Sequence, residues 1–288
     1  MRAARFGIRG AAVLAAAAFS WPAAGQQPDP PNAPYPPFKI GEGLYYVGAS
    51  DYASYLIVTR AGLIVIDGGD QATGSQVVRN IRALGFDPAQ VKILLNSHQH
   101  FDHAAGFAEI VKAAPGAKLY ASAADGPVIA AGGRGDPFLK GERFHYEPVK
   151  PAVTLKDRQK VTLGGWTLTA HVTGGHTKGC TTWTFPVTVA GKVRQALVHC
   201  SSSVLPGYKL VGEESYPGIA DDYEKSYRFW RSAPCEVFLG SHAQFFRLHE
   251  KRAKGPEAFV DPQGCRAYFE KGYAVFKAEL ARQQAAAR

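Results

Sequence analysis

Three histidines and one carboxylate lie within six residues of one another in the stretch 98–103, His-Gln-His-Phe-Asp-His. The largely apolar run 91–97 precedes this stretch and predicts a buried strand. The spacing of Phe107, Ile110 and Val111 after it predicts a helix. The four side chains must therefore lie where a strand gives way to a helix, at the edge of a sheet.

This arrangement suits metal ions. Side chains alternate along an extended segment, so His98 and His100 point to the same side and can bind one ion. Asp102 and His103 follow in the turn, where the alternation ends, and can face a second ion. Imidazole and carboxylate groups are typical zinc ligands. Any single histidine could instead be a solvated or core residue, but this cluster at a strand end favours a metal site.

The first 25 residues resemble an export signal. They combine three early arginines with the apolar run 11–21, which is too short to span a bilayer. Small residues at 23–25 suit cleavage, so we expect the mature chain to begin near Gln26. A short membrane anchor is the alternative. No later segment approaches transmembrane length, so we expect no integral membrane segment after signal cleavage.

Residues 26–288 are enough to bury a large core, as one domain or as two tightly packed halves. The whole chain has 33 Lys and Arg against 24 Asp and Glu, and it stays basic without the three arginines of the signal. A basic charge suits anionic small substrates. It is spread too evenly for a nucleic-acid partner, and no basic block of the kind such binding needs is present.

The chain has 4 cysteines, and an even number in an oxidising compartment predicts disulfides, with free buried thiols as the alternative. The segments on either side of the turn 189–192 predict a β-hairpin. A hairpin that is symmetric about residue 190 places Cys180 opposite Cys200. The remaining pair, Cys235 and Cys265, would connect a strand to the C-terminal region.

The first half of the chain alternates short strands with helices. Residues 132–147 are rich in glycine, proline and aromatic residues, and we expect a mobile loop beside the site, with an ordinary surface connection as the alternative. The other predicted elements are a proline-rich arm over 26–37, strands at 44–48, 54–59 and 63–67, an amphipathic helix over 73–84, a strand at 118–122 and a short helix over 123–131.

The second half repeats this order. One histidine, His176, lies in a glycine-rich turn after the strand segment 164–173, and another, His242, follows the strand 236–240. Helices are predicted over 219–233 and from Asp261 to about residue 284, with Asp261 as the cap and Pro262 in the first turn. Every candidate ligand then follows a strand, and two sheets packed face to face would gather those strand ends at one edge.

Three motifs resemble the metallo-β-lactamase superfamily, and within it class B enzymes of the third subclass. They are His-Gln-His-Phe-Asp-His at 98–103, Thr-Gly-Gly-His-Thr-Lys-Gly at 173–179 and Gly-Ser-His at 240–242. The resemblance extends from residue 37 to the last helix. It implies an α/β fold, the αββα sandwich of two face-to-face β-sheets with helices outside, as a single domain over 38–288.

The resemblance also implies a set of site residues. Two zinc ions are expected, and Asp67 should lie behind the site. Cys235 and Cys265 match a disulfide that is frequent in the subclass. The first zinc ion would be bound by His98, His100 and His176, and the second by Asp102, His103 and His242.

The implied activity is opening of the β-lactam ring of antibiotics by a metal-bound hydroxide that is hydrogen-bonded to the catalytic Asp102. The family's substrate-binding serines follow the hairpin, and matching residues 206–208 favours Ser202, with Ser203 as the neighbouring candidate. Gln99 stands where a small residue is commoner, and we expect it to point away from the metals with little effect. The protein is expected to be a periplasmic monomer with a small-molecule β-lactam substrate.

Two other functions compete with this interpretation. Many hydrolases of the superfamily, lactonases among them, have a metal-bridging aspartate after the hairpin, but residues 196–210 contain no Asp or Glu. A non-catalytic zinc protein would have a closed four-ligand site, whereas six ligands here divide into three and three. No role is assigned to the remaining histidines His145, His171, His199 and His249.

Overall fold

A computed structural model describes residues 30–287 of the protein. The predicted signal, residues 1–25, and the first part of the arm lie outside the described residues. The rest of the arm, up to Pro37, contains a turn and otherwise no regular structure, and β1 follows it. Within residues 30–287, no helix combines the length and the apolar character needed to cross a membrane.

The first sheet has seven strands in the order of the chain, β1 to β7. Strands β1 to β4 are antiparallel, and β4 to β7 are parallel, because helices cross between them. The strands are β1 Phe38–Gly41, β2 Leu44–Tyr46, β3 Tyr55–Thr59, β4 Gly62–Ile66, β5 Val91–Leu95, β6 Lys118–Ser122 and β7 Val153–Leu155.

The second sheet has five strands in the order β12-β11-β10-β9-β8. Its neighbours are antiparallel except for the parallel pair β11 and β12. The strands are β8 Lys160–Leu163, β9 Trp166–Val172, β10 Thr181–Val189, β11 Lys192–His199 and β12 Val237–Gly240.

The β10–β11 hairpin is centred half a residue later in the chain than the expected centre at residue 190. Val189 pairs with Lys192, so the hairpin is centred between residues 190 and 191. Both turn residues, Ala190 and Gly191, have positive φ, as a tight two-residue hairpin turn requires. This register would continue with Cys180 opposite Ser201. The disulfide to Cys200 is nevertheless present, with its Cα atoms 5.9 Å apart, because both cysteines lie just outside the paired strands.

The helices lie on the outer faces of the two sheets. Asp261 caps α7 by accepting a hydrogen bond from Gly264 N at 2.8 Å, as the sequence predicts. Asp70 caps α1 through Thr73 N at 2.8 Å, a cap that we did not predict from the sequence. The helices are α1 Gln71–Ala83, α2 Phe101–Ala104, α3 Phe107–Ala113, α4 Gly126–Ala130, α5 Ile219–Ser232, α6 Leu248–Lys254 and α7 Pro262–Ala286.

The core has two layers that meet at the first sheet. Ile64 and Ile66 of β4 face the layer between the sheets, which includes Trp183 and extends to α5 and α7. Leu63 and Val65 face the layer under α1 and α3. This alternation along β4 buries both faces of the strand. The order of helices, sheet, sheet and helices confirms the predicted αββα sandwich.

The second predicted disulfide is also present. Cys235, just before β12, is joined to Cys265 in the first turn of α7, with Cα atoms 6.5 Å apart. All four cysteines lie in the described part of the chain, and all are paired. The bridge fixes α7 against the edge of the second sheet.

Candidate metal centre

The six predicted ligands come together at one edge of the sandwich. The first sheet supplies the stretch after β5, while the second supplies His176 after β9 and His242 after β12. Strand β5 ends at Leu95, two residues earlier than predicted, and α2 begins at Phe101. His98 and His100 therefore lie in the connection, whereas Asp102 and His103 lie in the first turn of α2.

One cluster consists of His98, His100 and His176. Each pair of their ring centroids is 4.8 Å apart, so the three rings form an equilateral triangle. One ring nitrogen from each lies within 4.8 Å of the others, and all three side chains are buried. Three imidazoles around a common point are a donor set for zinc.

A second cluster consists of Asp102, His103 and His242. The Nε2 atoms of the two histidines are 3.2 Å apart, and Asp102 Oδ2 lies 3.4 Å from His103 Nε2 and 3.5 Å from His242 Nε2. Ligands about 2.0–2.1 Å from a tetrahedral zinc ion are separated by roughly these distances. His98 also lies within reach of Asp102 and His103, so the two clusters adjoin.

The second nitrogen of each ring in the first cluster has its own partner. His98 Nδ1 is 3.0 Å from Ser97 Oγ, and His176 Nδ1 donates to the Ser203 carbonyl at 2.9 Å. His100 Nε2 faces Asp136 Oδ2 at 3.6 Å. This leaves His98 Nε2, which is buried without a hydrogen-bond partner among the described residues. Such an atom needs a ligand, and a metal ion fits it.

The histidines of the second cluster are oriented by carboxylates. His242 Nδ1 is 2.8 Å from Asp51 Oδ2, and His103 Nδ1 faces Asp67 Oδ2 at 3.5 Å. Asp67 is also fixed itself, because its Oδ1 accepts a hydrogen bond from Ser97 N at 2.7 Å. Carboxylates behind metal-bound histidines fix the ring orientation and raise ligand basicity.

Charge and burial prepare the site for a cation. Burial, and then the neighbouring rings, holds the pKa of His98 well below its ordinary range, and burial lowers the pKa of His176 to about 4. Burial alone would raise the pKa of Asp102, but His103 and His242 lower it. His98 and His176 are therefore neutral and Asp102 is ionised at neutral pH, which are the protonation states that bind metal.

Asp125 links the two loops that carry the first cluster. Its buried carboxylate accepts hydrogen bonds from Gln99 N at 3.1 Å, Thr177 Oγ1 at 2.8 Å and Gly179 N at 2.9 Å. Burial raises its pKa to about 7, against the effect of these bonds. Gly179 is required here, since a Cβ at this position would overlap Ser122 Oγ and the Asp125 carboxylate.

The serines after the hairpin differ in their surroundings. Ser202 is buried, and its side chain lies beside Tyr227 and Tyr268, whose pKa values burial raises and this serine partly lowers. Ser203 is half-buried, and its hydroxyl has no hydrogen-bond partner within residues 30–287. The Ser203 carbonyl also orients His176. Of the two serines expected at the substrate, Ser203 is thus the more available.

Sequence reasoning missed three of the acids that support the site, Asp51, Asp125 and Asp136. Each lies in a connection, and Asp51 meets its histidine across a sequence separation of 191 residues. A composition or spacing signal could not reveal such a contact. The histidines without an assigned role lie outside both clusters. For example, His171 bonds Thr184 at 2.9 Å, and the ring of His199 packs against Trp230.

Comparisons with known proteins agree on one family. The family model of the metallo-beta-lactamase superfamily matches residues 47–189. The native FEZ-1 metallo-beta-lactamase from Legionella gormanii is 43% identical, and the alignment covers 89% of this chain and 99% of that one with a TM-score of 0.85.

Two further solved structures are similar over comparable lengths. BJP-1, a subclass B3 metallo-beta-lactamase of Bradyrhizobium japonicum, is 36% identical, with 90% of this chain and 98% of that chain covered and a TM-score of 0.83. LRA-12, a class B3 di-zinc metallo-beta-lactamase from an Alaskan soil metagenome, is 34% identical, with 85% and 94% covered and a TM-score of 0.81.

Proposed function

The chain belongs to the metallo-beta-lactamase superfamily, and we propose that it opens the β-lactam ring of antibiotics. The observation that carries this proposal is the pair of adjoining three-ligand clusters, in which one nitrogen of each histidine faces a hydroxyl, carbonyl or carboxylate oxygen and the other nitrogen faces the cluster. Relatives that are 34–43% identical over most of the chain bear the name of this activity.

We propose that the site holds two zinc ions, one on each cluster. His98, His100 and His176 would bind the first ion, and Asp102, His103 and His242 the second. Three ligands leave each ion open to water and substrate, unlike a closed structural site. When bound, zinc makes water acidic enough to supply hydroxide at neutral pH and polarises a carbonyl oxygen.

The chain's own groups then have defined roles in hydrolysis. Water must add to the lactam carbonyl carbon, the C–N bond must break, and the nitrogen must gain a proton. Asp102 directs one carboxylate oxygen to His103 and His242, which leaves the other to accept a hydrogen bond from the attacking water. The free hydroxyl of Ser203 would bind the substrate carboxylate, and the buried Ser202 would support it.

The cellular setting is part of the same proposal. We infer cleavage of a signal over residues 1–25, an arm over 26–37 and one hydrolase domain over 38–288, acting as a monomer in the periplasm. The two disulfides support this location, because disulfides persist in oxidising compartments. The enzyme would encounter its small-molecule β-lactam substrate in the periplasm.

Hydrolysis of a chromogenic cephalosporin by the purified, zinc-loaded protein tests the activity. Ring opening should be lost on chelation, return with zinc, and resist the serine-directed inhibitor clavulanate. His176→Ala should lower zinc content and rate together, whereas the matched variant His249→Ala, outside both clusters, should change neither. Efficient opening of a lactone by protein that leaves penicillins, cephalosporins and carbapenems intact would replace this proposal with a lactonase.

A further inference from the structure

Gln99 lies between two ligands of the first cluster and forms hydrogen bonds through its backbone N–H, its backbone carbonyl and its side-chain NH2 group. Its backbone N–H donates to Asp125 Oδ2 at 3.1 Å, and its carbonyl accepts a hydrogen bond from Tyr146 at 2.7 Å. Its side-chain amide donates to Asp136 Oδ2 at 2.6 Å. The residue is only 4% exposed. A side chain that is buried and bonded in this way does more than fill space.

Asp136, the partner of that amide, lies in the segment 132–147, which we call the 132–147 loop. Its carboxylate connects this loop to His100, a proposed metal ligand. The carboxylate oxygen that binds Gln99 also faces His100 Nε2 at 3.6 Å. The other oxygen accepts hydrogen bonds from Phe138 N and Leu139 N, both at 2.7 Å. The carboxylate therefore cannot move relative to His100 without disturbing the loop.

The 132–147 loop is held at other points as well. Its tip meets the opposite side of the cluster, because the Phe138 ring packs edge-on against Tyr208 with centroids 3.9 Å apart, and Tyr208 donates to the His176 carbonyl at 2.6 Å. Its two ends are joined by Tyr146 N, which donates to the Gly132 carbonyl at 3.0 Å. Gln99 thus bonds both arms of a loop that reaches across the first cluster.

We propose that Gln99 is a positioning residue, which fixes the 132–147 loop as a rigid wall of the substrate site and holds Asp136 against His100. A small residue at position 99 could not supply the amide from which Asp136 accepts a hydrogen bond, and the loop would then lose its hydrogen bond to the segment between His98 and His100 at Asp136. The inference departs from the sequence-based expectations that Gln99 has little effect and that the loop is mobile. Only its kinetic consequence rests on the proposed function.

Gln99→Met tests the proposal with little change in volume, because it removes only the amide. In the zinc-loaded protein, hydrogen exchange at the amides of Phe138 and Leu139 should accelerate at least about tenfold. The KM for a cephalosporin should rise about tenfold, since a loosened wall must be ordered on binding, while kcat changes less than about threefold. Zinc content at saturating zinc should stay the same. Gln71→Met, an exposed glutamine whose amide bonds Glu109 at 3.3 Å, is the matched control and should alter none of these.

Asp136→Asn provides the coupling test. It keeps an acceptor for Phe138 N and Leu139 N but replaces the charged oxygen that Gln99 and His100 share with an NH2 donor, which bonds Gln99 only after rotation of the Gln99 amide, so it should loosen the loop. The acceleration of exchange in the Gln99→Met/Asp136→Asn double variant should then be smaller than the product of the accelerations in the two single variants. Fully multiplicative effects would show that the two residues act separately and would overturn the proposal.

Unchanged exchange of the 138 and 139 amides in Gln99→Met would also overturn it, whatever happens to hydrolysis. Should that variant fail to fold, Tyr146→Phe removes the other bond to Gln99 and should accelerate exchange at residues 144–146; unaltered exchange there counts against the role. Loosening of the loop in a protein that opens no β-lactam would leave the positioning role intact and reject the proposed function alone.

Discussion

The His242 ring and the Asp51 carboxylate meet at 2.8 Å, although one follows the last strand of the second sheet and the other lies between two strands of the first. Asp51 also accepts a hydrogen bond from Gln244 N at 3.1 Å, so it holds both the ring and the backbone after it. This contact joins the two sheets at the edge where the second cluster forms. It therefore couples the packing of the sandwich to the geometry of His242, a proposed metal ligand.

Asp51→Asn should weaken the second zinc site and leave the first intact. The amide can accept with only one atom, so either His242 or Gln244 loses its partner, and loss of such a partner typically costs 10–100-fold in metal affinity. Competition against a chromophoric chelator would measure both dissociation constants. Asp87→Asn, which alters an exposed capping carboxylate remote from the site, should bind two zinc ions normally. Equal weakening of both sites would argue against a role specific to His242.

Asp125→Asn should weaken the first site instead. Its carboxylate receives three donors from the loops on either side of the first cluster, and an amide can satisfy fewer of them. We expect the first zinc affinity to fall about 10–100-fold, as for other supporting groups of a metal site. Thr177→Val, which removes one donor, should show a smaller loss, and Thr177→Ser should show none. A normal first site in Asp125→Asn would exclude the linking role.

The sequence predicts the layers of this fold because local patterns carry them. The continuous apolar run of β4 predicts a strand buried on both faces, the 3.6-residue spacing in α1 identifies its buried face, and Asp261 with Pro262 marks the start of α7. The proposed ligands could be predicted in the same way, since each lies in the segment that follows a strand. These segments meet at one edge of the sandwich, which brings the six proposed ligands together.

The supporting acids could not be predicted in the same way. Asp51, Asp125 and Asp136 act through contacts between distant loops, and their positions follow from the packed structure rather than from a period or a motif. The role that we propose for Gln99 could not be predicted for the same reason, because its partner Asp136 lies 37 residues away in the sequence. Sequence patterns specify which elements form, whereas the loops between them are positioned by the whole sandwich.

Asp261→Asn should destabilise the fold at neutral pH by about 2 kcal/mol. The carboxylate caps α7, accepts a hydrogen bond from Arg247 at 2.8 Å and forms an ion pair with the 3%-exposed Lys251 at 3.0 Å. Burial alone would raise its pKa, but these cations lower it to about 2. Because this is below the value of about 3.9 in an unfolded chain, the contribution exists above pH 4 and is lost as the pH falls toward 2.

Urea unfolding of the zinc-free protein at pH 7 and pH 3 would measure this dependence. The free-energy difference between the native chain and Asp261→Asn should shrink at the lower pH, because the unfolded chain binds a proton at this carboxylate while the folded protein still holds it ionised. Asp87→Asn again serves as the control, since it removes the charge of a capping carboxylate that has no buried lysine beside it. A difference that grows as the pH falls would contradict the assignment.

Removal of each disulfide should have a different consequence. Cys235→Ala/Cys265→Ala removes the bridge at the start of α7, which joins residues 30 apart in the sequence. Its loss should cost about 3 kcal/mol of stability, with kcat retained in the folded protein. Cys180→Ala/Cys200→Ala should cost a similar amount and also lower the rate. This bridge lies between the turn of His176 and the serines after β11. Calorimetry and steady-state kinetics on both double variants would separate the two effects.

Asp102→Asn should abolish most of the hydrolytic rate while the protein still folds. The substitution keeps the shape of the side chain but removes the one negative charge that faces both His103 and His242. It also removes an acceptor for the attacking water, and such acid–base or orienting groups typically contribute 10²–10⁴-fold. We therefore expect kcat to fall by at least about 100-fold at saturating zinc, together with weaker binding of the second ion.

The control is Asp221→Asn, which changes an exposed acid in the first turn of α5 and should keep the native rate. Single-turnover kinetics at several zinc concentrations would separate the two causes. Full recovery of the rate at high zinc would assign Asp102 to metal binding alone, whereas a persistent deficit in the fully loaded protein would show that its carboxylate acts on the water.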